Sequence, residues 1–104
     1  MAVTSKTLAR TAAATTSTTL YTQPDTTTAT VITNMLVTNT TSATADFTLT
    51  IAAVTAASSV SVGAFDTTVI DMKQVIPPTD PAATIAGEAS TTGVNFHISG
   101  VEIS

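Results

Sequence analysis

The chain has 104 residues, a net charge of −4 at pH 7 and only 10% charged residues, and its length is typical of a single domain. Its three cations, Lys6, Arg10 and Lys73, are too few to neutralise nucleic-acid phosphates or to bind an anionic membrane surface. It contains no cysteine, which excludes a disulfide framework and a thiolate zinc site. One residue in four is Thr, a β-branched residue that favours strands.

Residues 1–16 lack a sustained strand pattern. The run Ala12-Ala13-Ala14 is too short for a stable helix, and the flanking Thr and Ser residues oppose one. We therefore expect an extended N-terminal arm over residues 1–16, either mobile or ordered by a partner. Because the arm holds two of the three cations, we predict a partner-binding role for it, with apolar anchors and positive charges at Val3, Lys6, Leu8 and Arg10. A disordered tail is the alternative.

Strand signals begin at residue 18, and residues 17–104 are predicted to form one β-sandwich domain. A β-prone run, Thr18–Thr22, is followed by the turn residues Gln23-Pro24-Asp25. Residues 28–39 form the longest apolar segment without clean alternation, which is typical of a central strand or of one covered on both faces. Residues 45–53 alternate regularly and predict a half-buried strand, with inward side chains at Phe47, Leu49 and Ile51.

The second half of the chain continues in short runs. Residues 58–62 and 67–72 predict two strands, and the three prolines within residues 77–81 predict a stiff loop. A strand is predicted within residues 82–89, with either Thr84 and Ala86 or Ile85 toward the core, and Val94–Ile103 is predicted to form the last strand. The apolar phase changes after Gly100, which suggests a β-bulge there. Seven to eight short strands favour an all-β, antiparallel sandwich or barrel-like fold.

Residues that could carry chemistry are scattered. His97 is the only histidine, and no motif supplies the nucleophile or carboxylate that a catalytic histidine needs. The carboxylates form neither a calcium loop nor a recognisable catalytic pair; they are Asp25, Asp46, Asp66, Asp71, Asp80, Glu88 and Glu102. We therefore expect no enzyme activity, no metal and no cofactor.

The N-terminal ten residues lack the apolar core of a signal peptide, and no run of the chain is long and apolar enough to cross a bilayer. Synthesis and assembly in the cytoplasm of a host cell is the resulting expectation. With one Tyr, three Phe and no Trp, the chain is also poor in the aromatic faces on which sugars and bases commonly stack.

Three segments together resemble small structural proteins of tailed bacteriophages. They are Thr-Leu-Tyr-Thr-Gln-Pro-Asp at 19–25, Met-Leu-Val-Thr-Asn-Thr-Thr-Ser-Ala-Thr-Ala-Asp-Phe-Thr-Leu at 35–49, and Gly-Val-Asn-Phe-His-Ile-Ser-Gly-Val-Glu-Ile at 93–103. The resemblance spans most of residues 18–104 and implies a β-sandwich virion component, such as a capsid decoration (cement), tail or fibre-associated protein. Residues 78–81 depart from the pattern, because Pro-Thr-Asp-Pro stands where a Gly-Asp turn is expected. The resemblance supplies no active-site residues.

The leading hypothesis is therefore a capsid decoration protein on the exterior of a virion. It would bind the major capsid protein or other virion subunits as a symmetric homo-oligomer and stabilise the shell by adhesion. A tail, neck or fibre-associated virion protein is the first alternative. A host-surface carbohydrate-binding module is the second, and an enzyme is the weakest.

Overall fold

The computed structural model describes residues 3–24, 27–78 and 83–104, apart from the side chain of Met72. Over these residues the chain forms eight strands and no helix. The prediction of an all-β antiparallel sandwich is confirmed. The strands are β1 (Val3–Ala12), β2 (Thr18–Thr22), β3 (Ala29–Asn39), β4 (Ala45–Ile51), β5 (Val54–Val62), β6 (Thr67–Ile76), β7 (Thr84–Ala89) and β8 (Val94–Ile103).

The strands form two four-stranded sheets. Sheet A has the order β1-β8-β3-β6 and sheet B the order β2-β7-β4-β5. The first four strands pair with the last four in reverse, as β1 with β8, β2 with β7, β3 with β6 and β4 with β5. The chain thus resembles a long hairpin rolled into a sandwich, which is the strand order of a double-sheet jelly roll.

The core lies between the sheets, and the inward positions of strands such as β4 and β8 alternate with outward ones. Phe47 and Leu49 on β4 are fully buried, as predicted, and Ile51 is partly buried against the core, while Thr48 and Thr50 are half-buried on the outer face. On β8, Phe96 and Ile98 are fully buried. The rings of Phe47 and Phe96 meet edge to face across the two sheets, with centroids 5.9 Å apart, which is a favoured geometry for aromatic pairs.

Several predicted strands are present with different lengths. The run predicted at residues 58–62 belongs to the longer β5, and the run at 67–72 continues to Ile76 as β6. On β7 it is Ile85 that faces the core. Pro77 and Pro78 follow β6 outside any strand, and the rest of the predicted proline loop, residues 79–81, lies outside the described residues.

The N-terminal segment differs from the expected arm. Val3–Ala12 forms β1, an edge strand that pairs with β8 along its whole length. Pairing within the same chain satisfies the backbone groups on the side of β1 that faces β8. A bulge between Thr7 and Ala9 turns both Leu8 and Ala9 toward the core, where they are 6% and 7% exposed. Residues 1 and 2 of the predicted arm lie outside the described residues.

The bulge expected at Gly100 is wrong. Strand β8 keeps its alternation to the end, so Gly100 and Glu102 lie on the same inward side as Phe96. The irregularities lie in its neighbours instead, at Leu8 of β1 and at Thr33 of β3. The apolar pattern misled because the last inward position is Glu102, whose carboxylate contacts Lys6 of β1 and Tyr21 of β2.

Candidate functional site

The outer face of sheet A carries two rows of apolar side chains at one end of the sandwich. In the first row Val101 on β8 stands opposite Val31 on β3, and Val31 stands opposite Val75 on β6. In the second row Ile103 stands between Val3 on β1 and Ala29 on β3. We call these six residues the valine patch; they are Val3, Ala29, Val31, Val75, Val101 and Ile103.

The valine patch faces away from the core. Its members alternate along their strands with buried residues such as Thr30, Ile32 and Ile76, and successive side chains of a strand point to opposite faces. Val3 is 62% exposed and Val75 is 59% exposed, while the four central members are half-buried by their neighbours. Isolated exposed valines are ordinary, but a contiguous apolar cluster on one face is typical of an interaction site.

The same face continues past a polar strip into a mixed row. Leu36 on β3 stands opposite Val69 on β6 on one side and His97 on β8 on the other, and His97 stands opposite Arg10 on β1. Val69 is 59% exposed and Leu36 is 37% exposed. The row therefore runs from the cation Arg10 through His97 to the apolar pair Leu36 and Val69 on the outer face of sheet A.

The outer face of sheet B has the opposite character. Its central strand β4 presents Asp46, Thr48 and Thr50, each half-buried. In the register, Thr48 stands opposite Glu88 on β7, and Asp46 accepts a 3.0 Å hydrogen bond from the Ser61 hydroxyl on β5. Hydroxyl and carboxylate groups remain well solvated at such a surface. The sandwich is therefore two-sided, with an apolar region on sheet A and a polar face on sheet B.

The four residues predicted for partner binding are divided by the structure. Val3 belongs to the valine patch, and Arg10 is exposed in the mixed row. Lys6 forms an ion pair with Glu102 at 3.3 Å and lies 6.0 Å from the centre of the Tyr21 ring. Leu8 differs from the expected anchor because its side chain is in the core. The members of the valine patch on β3, β6 and β8 were not predicted as binding residues, because strand pairing brings them together and the sequence does not show that pairing.

A polar cluster closes the sandwich at the same end. The Tyr21 hydroxyl of β2 donates a hydrogen bond to the Glu102 carboxylate of β8 and lies 2.9 Å from the Thr30 hydroxyl of β3. The Thr30 hydroxyl hydrogen is donated to the Gln23 side-chain carbonyl, and the Gln23 amide donates to the Ile76 carbonyl at 3.1 Å. The cluster therefore ties β2 of sheet B to sheet A directly beneath the valine patch.

Replacing Tyr21 by Phe is expected to lower the free energy of unfolding by about 1–2 kcal/mol, because the half-buried Glu102 carboxylate loses a hydrogen-bond donor. Urea denaturation followed by circular dichroism measures the change. Glu102→Gln and the double variant complete a cycle, in which the two changes should be less than additive. Fully additive effects would contradict a direct coupling between Tyr21 and Glu102.

In the described part of the chain, no group of three or more His, Cys, Asp or Glu side chains lies close enough to hold a metal ion. A shallow depression on sheet B joins Asp46 and Glu88 to neighbouring hydroxyls, and another on sheet A joins Arg10, Asn95 and His97. Among the described residues no helix could span a membrane.

Comparison with known proteins adds no relative. No family model, no curated protein and no solved structure matches this chain.

Proposed function

We propose that the chain is a virion structural protein of a tailed phage, a capsid decoration protein that binds the major capsid protein and stabilises the shell. The valine patch carries the proposal. An exposed apolar cluster on a rigid sheet suits permanent adhesion to another protein surface, whose burial of these side chains would contribute about 25 cal/mol per Å² of apolar area.

The two-sided sandwich supports the same proposal. A protein that coats a shell needs one face for the shell and one face for water. The outer face of sheet A, which includes the valine patch, fits the first need. The Thr-rich and acidic outer face of sheet B fits the second, with Asp46 and Glu88 among its side chains.

The fold and the sequence resemblance give weaker support to the virion proposal. Jelly rolls occur in viral capsid proteins, and also in lectins and cupins, so the strand order alone does not assign a function. The sequence resemblance to small virion proteins of tailed phages favours the first of these uses. The scarcity of aromatic side chains disfavours a carbohydrate-binding use.

The copy number of the chain in purified particles tests the proposal. Quantitative mass spectrometry against the major capsid protein is expected to give about one copy per capsid subunit, or a fixed lattice fraction of it, because decoration follows the symmetry of the shell. A handful of copies per particle would favour the tail, neck or fibre alternative. Complete absence from particles would overturn the virion proposal.

A further inference from the structure

Strand β6 forms one edge of sheet A. Within the described residues it pairs with β3 only, so the other side of this ten-residue strand is open. An edge of this length offers a row of backbone donors and acceptors to another strand. Val69 and Val75 are each 59% exposed. The strand therefore has both free backbone groups and exposed apolar side chains.

The side chains of β6 follow a pattern that is complementary to itself. Val69, Asp71, Lys73 and Val75 occupy every second position, symmetrically about residue 72. The register places Val69, Asp71 and Val75 on the outer face of sheet A, and Lys73 is exposed with the same parity, within residues 72–73 where the β3–β6 register is irregular. Read in the opposite direction, the segment keeps its valines and exchanges its two charges. Among the described residues, the ion pair found joins Lys6 to Glu102 and involves neither charge of β6.

We propose that β6 pairs antiparallel with β6 of a second copy of this chain, about a two-fold axis through residue 72. In this register Val69 faces Val75 of the other copy, and Asp71 faces its Lys73. The symmetry repeats both contacts, which gives four favourable cross-strand pairs on one face. Strand addition at a sheet edge supplies backbone hydrogen bonds in addition, and an isologous two-fold contact is the commonest form of self-association.

Pairing of β6 would also join the apolar surfaces of the two copies. Each valine patch ends at Val75, and the mixed row of the same face ends at Val69. Because Val75 of one copy meets Val69 of the other, the row through Val31 and Val75 continues into Leu36 of the second copy. The result is one continuous eight-stranded sheet whose exposed apolar side chains lie on a single face. This inference does not depend on the virion proposal.

The opposite edge of sheet A is less suited to pair with itself. Its edge strand β1 carries only positive charges, at Lys6 and Arg10, so two copies would have no opposite charges to align. A head-to-tail contact of β1 with β6 of another copy, in which Arg10 meets Asp71, is the competing arrangement. The experiments below separate the two arrangements.

Exchange of the charges on β6 tests the proposed register. Sedimentation equilibrium should give a dimer for the natural chain, and Asp71→Lys or Lys73→Asp alone should weaken it about tenfold or more, since each creates two like-charge contacts. The double exchange Asp71→Lys with Lys73→Asp should restore the dimer, because opposite charges again face each other. Asp46→Lys on sheet B is the matched control and should leave the dimer unchanged.

Cysteine cross-linking tests the same register without altering charge, in a chain that has no cysteine of its own. A mixture of Val69→Cys and Val75→Cys proteins should be linked by a short bis-maleimide reagent, because the two positions face each other across the axis. Either variant alone should not be linked. In a dimer of one variant, the two cysteines, one from each copy, would lie six residues apart along the paired strands, which is about 20 Å.

Three results would overturn the proposal. The first is a natural chain that remains monomeric to about 1 mM, a Kd limit equivalent to only about 4 kcal/mol of binding free energy. The second is a dimer that the double exchange fails to restore while each single exchange weakens it. The third is a dimer that Arg10→Glu weakens and the Lys73→Asp exchange does not, which would indicate the head-to-tail arrangement. Circular dichroism of every variant establishes that the fold is retained.

Discussion

Replacing Gly100 by Ala is expected to destabilise the fold by about 3 kcal/mol or more. A Cβ atom at this position would lie 2.2 Å from the Val31 backbone carbonyl oxygen and 2.9 Å from Cδ1 of Leu8. The first of these atoms belongs to the backbone of β3, which pairs with β8 on both sides of the contact. A rotamer change cannot relieve the clash, so the paired strands must separate locally.

Gly63→Ala is the matched control for this experiment. A Cβ atom at Gly63 would meet its nearest neighbours, both in the Asp66 side chain, at 3.7 and 3.8 Å, which is ordinary van der Waals contact. Its free energy of unfolding, measured by urea denaturation, is expected to change by less than about 1 kcal/mol. Equal effects of the two substitutions would contradict the close approach of β3 to β8 at Gly100.

The importance of Gly100 could be noticed in the sequence, but its reason could not. A glycine within an apolar strand pattern indicates a bulge or a close backbone approach, and the change of apolar phase after Gly100 favoured the bulge. The phase change arises because Glu102 occupies an inward position, where it contacts Lys6 of β1 and Tyr21 of β2. Those partners lie far away in the sequence, so no local pattern could show that a carboxylate faces inward.

Regular alternation explains which parts of the fold were predictable. Strand β4 has its apolar side chains at every second position, so its start and its inward face could be predicted from its own residues. Its end was predicted two residues too late, because Ala52 and Ala53 form a turn. Strand β1 has only Leu8 as a large buried side chain, and a bulge breaks its alternation. What orders β1 is pairing with β8, some ninety residues later in the chain, and short-range patterns carry no information about such pairing.

The valine patch illustrates the same limit for the candidate site. The apolar residues on both faces of residues 28–39 predicted a central strand or one covered on both sides. Strand β3 is indeed internal to sheet A, between β8 and β6. Yet its outer side chain Val31 is only half-buried. Leu36, on the same outer face, is 37% exposed, so the described residues do not cover it. The surplus apolar character of β3 is therefore a signal of the surface on which the proposed function depends.

Under the proposed decoration role, replacing Val101 by Asp is expected to weaken binding to capsids at least about 100-fold while the protein stays folded. Val101 lies in the valine patch on β8, between Ser5 of β1 and Val31 of β3. A carboxylate buried there against a capsid surface would lose its hydration without gaining a partner, a cost of several kcal/mol. In the free protein the same carboxylate remains hydrated on the outer face of the sheet.

Cosedimentation with phage particles that lack the chain measures this effect. Thr50→Asp is the matched control, because it adds the same charge to a half-buried position on the outer face of sheet B. Binding that falls for Val101→Asp and not for Thr50→Asp would tie adhesion to sheet A. Equal losses would indicate a general charge effect, and a loss for Thr50→Asp alone would reverse the orientation proposed for the sandwich. Since both positions lie outside the core, thermal unfolding of the free variants separates lost adhesion from lost folding.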